Sequence, residues 1–154
     1  MNFTKQIAAM ASATAILLTP VSAAAVTGSE AEQIRKLDIM LMVTSLRCRM
    51  GQDDFQPDYR AFTTNHITTL NGAARTLESG LVKRHGSKGA KRALDRISVG
   101  MANQYGRGHP WLGCGELKQI THDLARSRNP ADLGQAAGEL LNQRPQAGGR
   151  FAAR

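Results

Sequence analysis

From Ile7 to Leu18 the chain carries no charge; a lone cation, Lys5, precedes the run and Pro20 breaks it. Val21-Ser22-Ala23-Ala24-Ala25 then offers small side chains to a signal peptidase. This is the pattern of a cleavable export signal, with cleavage expected after Ala23 or Ala25. The run is too short for a hydrocarbon core of about 30 Å, which takes about 20 helical residues. A retained anchor is therefore not expected, and no Cys follows the run to accept a lipid. The expected location is periplasmic or secreted, with no transmembrane segment in the mature chain. Export constrains the fold, because cysteines in an oxidising compartment usually pair. Cys48 and Cys114 are the only two, so one disulfide is expected. The competing reading is a reactive thiol or a metal ligand.

The 154 residues suffice for one compact domain and exclude a large multi-domain enzyme, a solenoid or a polytopic membrane protein. With 42% hydrophobic and 21% charged residues, global disorder is excluded too. Four segments repeat apolar residues at helical spacing, and none alternates like a strand. The first runs from about Glu30 to Arg49. Ile34, Leu37, Leu41 and Cys48 share a face, and Ile39, Met40, Met42, Val43 and Leu46 widen it until the middle is apolar nearly all round. Such a helix belongs at the centre of a fold. The second spans about Pro57 to Arg84, started by Asp53, Asp54 or Gln56, with Tyr59, Phe62, His66, Leu70, Ala73, Leu77 and Leu81 on one stripe. His85-Gly86 reads as its stop. Ser87 reads as the N-cap of a third, to about Tyr105. The fourth covers about Gly113 to Ser127, and a marginal fifth Ala131 to Asn142. Both cysteines fall on core-facing sides. The expectation is all-α: an irregular four- to five-helix bundle stapled by one disulfide. Its helical domain spans 30–127, the marginal helix falls within 128–143, and a disordered tail covers 144–154.

The net charge is +8, and removing the leader takes away only Lys5. The densest charge run is Lys83-Arg84-His85-Gly86-Ser87-Lys88-Gly89-Ala90-Lys91-Arg92, extended by Arg96, with Asp95 the one acid nearby. Free backbone N–H groups at a helix opened by Ser87 would face the place where these cations gather, which suits a phosphate, sulfate or carboxylate. Lys83, Arg84, Ser87, Lys88, Lys91, Arg92 and Arg96 are the anion-binding candidates. Anionic partners in that compartment include lipid headgroups, lipopolysaccharide phosphates and cell-wall polymers. The alternative is a solvated face. Walker spacing is absent, and no stacking aromatics interleave with the charges, so nucleic acid is not expected.

Gly106 to Gly115 holds four glycines besides the only Trp, a His and Cys114. Such a loop either contacts a ligand, with Trp111 as platform and Arg107 and His109 as polar contacts, or makes a tight connection plugged by Trp111. Catalysis there would fall to Glu116 or His109 as acid/base, in a small cell-envelope hydrolase. Glu116 reads equally as a favourable first-turn charge. The other acids, Asp132 among them, read as caps or solvated faces. The histidines His66, His85, His109 and His122 lack HExxH or CxxC spacing, so neither metal nor cofactor is expected. His66 reads as a boundary histidine on its apolar stripe.

The segments Arg35-Lys36-Leu37-Asp38-Ile39-Met40-Leu41-Met42, Leu46-Arg47-Cys48-Arg49, and Ala93-Leu94-Asp95-Arg96-Ile97-Ser98 through His109-Pro110-Trp111-Leu112-Gly113-Cys114 resemble a family of small exported proteins of unknown function from Gram-negative bacteria. The resemblance covers about Arg35 to Ala125. Members sometimes bear the label S-adenosyl-L-homocysteine hydrolase. That activity needs a dinucleotide-binding βαβ unit with a Gly-rich turn. This chain has no such strand and no GxGxxG, so the resemblance brings no catalytic residue. The expected function is a non-catalytic binding or adaptor module with a basic surface for an anionic envelope component.

Overall fold

The computed structural model describes residues 27–142 and 149–151. The export signal expected over residues 1–25 lies outside them. The chain is all-α, with five helices and no strand among the described residues: α1 Gly28–Cys48, α2 Gln56–Asn65, α3 Ile67–Tyr105, α4 Cys114–Arg126 and α5 Ala131–Leu140. None of them is long and apolar enough to cross a membrane.

α1 is the axis of the bundle and touches all four other helices, most extensively α3. Its near-continuous apolar middle explains this: Ala31, Ile34, Leu37, Ile39, Met40 and Leu41 are all buried. Only Met42 and Leu46 of that stretch stay exposed. Thr44 and Ser45 are buried as well, and each hydroxyl donates back to a carbonyl of its own helix, Met40 O at 2.7 Å and Met42 O at 2.8 Å. That satisfies the hydroxyls without a partner helix. The Cys48–Cys114 disulfide, with Cα atoms 5.8 Å apart, joins the last residue of α1 to the first of α4.

Asp54 starts α2 by accepting the Gln56 N–H at 2.9 Å, with Pro57 in the first turn. Phe62, fully buried, anchors this short helix, whose main partner is α4. Tyr59 ties it to α1 by donating to Asp38 at 2.9 Å. Burial and the Asp38 carboxylate push the Tyr59 phenol well above its ordinary pKa.

The segment expected as one helix over Pro57–Arg84 is two, separated at His66 (φ −106°, ψ 14°). The reason is tertiary. Asn65 Nδ2 donates to Ala125 O at 2.8 Å and His66 Nε2 to Leu124 O at 2.8 Å, so the side chains at the break close the C-terminal end of α4. The carbonyls of a helix's last turn lack intrahelical donors, and these two side chains supply them.

α3 bends sharply at Gly86 (φ 67°, ψ 169°), a conformation that favours glycine. The break falls where His85-Gly86 predicts it. Gly86 rather than Ser87 takes the non-helical position, which corrects the N-cap expected at Ser87. The turn is tight enough that a Cβ on Gly89 would sit 2.7 Å from the Cβ of His85. A second correction concerns the tail. The sequence expectation for 144–154 is disorder; at 149–151 Phe151 is buried and Gly149-Arg150-Phe151 packs back on α5, while the rest of that tail lies outside the described residues.

Candidate functional site

Past the Gly86 bend, Lys88, Arg92 and Arg96 recur every four residues, and Lys91 stands three after Lys88. They therefore share one face of α3. The opposite face is set by Ala90 and Ala93, both buried, with Leu94 and Ile97 half-buried beside them. Lys83 and Arg84 lie just before the bend. All six cations are exposed, as is Ser87. Among the described residues none of the six has a carboxylate oxygen within 4.0 Å, not even from the neighbouring Asp95. Like charges at i,i+4 destabilise a helix by roughly 0.2–0.5 kcal/mol per pair. An anion on this face relieves that repulsion.

Arg96 also reaches a groove of about 510 Å³ between α1 and α3, lined by Gln33, Lys36, Gln104, Ile97 and Met101 among others. Lys36 there is already paired with Glu32 at 2.7 Å. Sequence reasoning missed this meeting of Arg96 with α1, because it depends on how two helices pack. A second, polar cleft of about 720 Å³ opens beside the α2–α3 break and contains Arg126 and Arg128. Its His66 and Asn65 are committed to the α4 carbonyls.

The Gly-rich loop has a different character. His109 is buried and lies between two aromatic rings, stacked on Tyr105 at 5.4 Å and edge-to-face with Trp111 at 4.7 Å. Its Nε2 donates to Leu140 O at 2.8 Å; a carbonyl only accepts, so Nε2 carries the proton. Its Nδ1 accepts from the Trp111 N–H at 3.5 Å. Trp111 Nε1 donates to Asn142 O at 3.2 Å. The loop thus closes the C-terminal end of α5 as Asn65 and His66 close that of α4. Gly108 (φ 113°) is required twice over: by its backbone, and because the Arg47 side chain packs 3.2 Å from where a Cβ would be. Arg107 is exposed. Glu116, also exposed, accepts the Gly113 N–H at 2.8 Å and caps α4. Both hydrolase candidates are therefore tied to the scaffold, Glu116 to a helix start and both ring nitrogens of His109 to backbone groups.

Burial lowers the His109 pKa from 6.5, against smaller raising effects of the Leu140 carbonyl and of Glu116. The folded protein therefore takes up a second imidazole proton, at Nδ1, less readily than the unfolded chain. Its contribution to stability is complete above about pH 6.5 and declines as pH falls towards the lowered folded value. His109→Gln keeps an N–H donor but cannot titrate. Denaturation curves from pH 7.5 to 5 are expected to show a shallower acid loss in H109Q than in the parent; parallel profiles would refute this.

Among the described residues, no three His, Cys, Asp or Glu side chains gather as a metal site. The chain matches no protein-family model, no curated protein and no solved structure.

Proposed function

We propose that this chain is an exported, non-catalytic binding module whose α3 basic face engages an anionic component of the cell envelope: a lipid headgroup, a lipopolysaccharide phosphate or a cell-wall polymer. The export signal read over residues 1–25 and the resemblance to small exported proteins belong to the same proposal. One observation supports it above the others. Six exposed cations, Lys83, Arg84, Lys88, Lys91, Arg92 and Arg96, lie on and beside one helix face without a carboxylate contact among the described residues. A face that served only solubility would be expected to intersperse its charges, as α1 does with Lys36–Glu32 and Arg35–Asp38.

The test is binding to anionic vesicles, lipopolysaccharide and cell-wall polymer at rising salt. Each Lys or Arg near an anionic surface contributes about 1 kcal/mol, and the Debye length shrinks from about 10 Å at 0.1 M to about 3 Å at 1 M. Lys88→Glu with Arg92→Glu is expected to weaken binding to the true ligand at least a hundredfold, and 0.5 M salt to abolish it. Binding that ignores both salt and charge reversal would overturn the proposal.

A further inference from the structure

The last turn of the described chain looks like a ligand in a receptor. Two acidic side chains on α5, Asp132 and Glu139, are both buried. Glu139 spends its two oxygens on consecutive backbone groups of the tail: Oε1 accepts the Arg150 N–H at 3.1 Å, and Oε2 accepts the Phe151 N–H at 2.6 Å. Gln135 Nε2, at 2.9 Å, steadies the same carboxylate from one turn back. Asp132 accepts the Arg150 guanidinium at 3.0 Å while Ser127 and Asn129 hold it from the α4–α5 turn. The Phe151 ring joins the hydrophobic core, with the Arg150 guanidinium 5.5 Å over it. At Gly149 a Cβ would lie 2.7 Å from Glu139 Oε2, so a side chain there would have to displace the carboxylate that holds the Arg150 and Phe151 N–H groups.

Three adjacent positions are therefore read for three separate reasons: glycine by close approach, arginine by a carboxylate, and an aromatic ring by burial. The carboxylate pair on two adjacent N–H groups fixes the backbone between them. We infer that the Asp132–Glu139 face of α5 is a peptide-recognition site for a Gly-Arg-aromatic segment of a partner protein, held shut by the chain's own residues 149–151. A tethered occupant acts at about millimolar effective concentration. The same segment on a second copy of this chain does not displace it at micromolar concentration; a partner does so by adding contacts outside the three residues. The inference is independent of the basic α3 face, since it involves α5 and a cationic rather than an anionic ligand.

The probe is acetyl-Gly-Arg-Phe-amide, titrated onto the full-length chain and onto the full-length Arg150→Ala/Phe151→Ala variant. The variant is expected to bind the peptide at least tenfold more tightly than the parent, because its own tail no longer competes. Acetyl-Ala-Arg-Phe-amide and acetyl-Gly-Ala-Phe-amide are each expected to bind the variant at least tenfold more weakly than the parent peptide. No binding by a variant that keeps its helical content would overturn the inference, as would equal binding of all three peptides. Should the variant fail to fold, the parent decides. With excess unlabelled peptide, the Arg150 and Phe151 amide resonances of the labelled full-length chain move towards random-coil positions; unchanged resonances overturn the inference.

Discussion

Replacing Cys48 and Cys114 together with alanine is expected to lower the unfolding free energy by about 4 kcal/mol. The two residues are separated by 66 positions, and closing a loop of that length removes about this much from the unfolded chain in the entropy model. Small domains are stable by about 5–15 kcal/mol in total, so the loss is a large share. The melting temperature should fall by roughly 15 °C. Urea and thermal unfolding of parent and variant measure it, and a change under about 1 kcal/mol would mean that the unfolded chain already keeps the ends of α1 and α4 together. In the parent, a thiol titration in denaturant should find none before reduction and two after, in keeping with the absence of free cysteines. The bond also disposes of Cys114 as a nucleophile.

Phe62→Ala is expected to destabilise by about 3–5 kcal/mol, the usual range for a fully buried aromatic side chain. α2 has only 10 residues, too few to persist as a helix without packing. Its ring lies 6.2 Å from that of Tyr59 and 5.4 Å from that of His66, so the cavity would open beside the residue that closes α4. The contrast is Asp58→Ala. Asp58 meets His122 at 3.0 Å across the same α2–α4 contact, but the imidazole is largely exposed, and such a pair contributes under about 1 kcal/mol. Equal losses from the two substitutions would show that the α2–α4 contact depends on the Asp58–His122 hydrogen bond rather than on burial. Amide exchange should locate the Phe62→Ala effect in α2 and the last turn of α4.

These residues also show how far pattern reading goes. The stripe Tyr59, Phe62, His66, Leu70, Ala73, Leu77 and Leu81 keeps helical phase straight through the break at His66, so periodicity alone reports one helix. Nothing at Asn65-His66 resembles a breaker. The interruption is set by carbonyls of α4, about 60 residues further along the chain. Gly86, by contrast, marks its own bend, because a backbone at φ 67° needs glycine whatever surrounds it. The disulfide, the helices α1, α4 and α5 and the central place of α1 follow from local signals. The basic face of α3 was readable for the same reason: its spacing is local. The Asp132–Glu139 site was not. Asp132 looks like a cap from sequence and Glu139 like any surface acid; the one clue was Phe151, a large aromatic in a tail otherwise poor in apolar residues.

The central position of α1 has a consequence for biogenesis. Among the described residues it is the first helix to be synthesised, and its main partners, α3 and α5, begin at Ile67 and Ala131. Its apolar surface therefore has nowhere to go until most of the domain has been made. Contacts this distant along the chain form slowly, and an exposed apolar helix is prone to associate with others in the meantime. A nascent chain of this protein needs shelter for α1 before it needs help with any other helix, and the covalent link at Cys48 can close only once Cys114, 66 residues later, has been made.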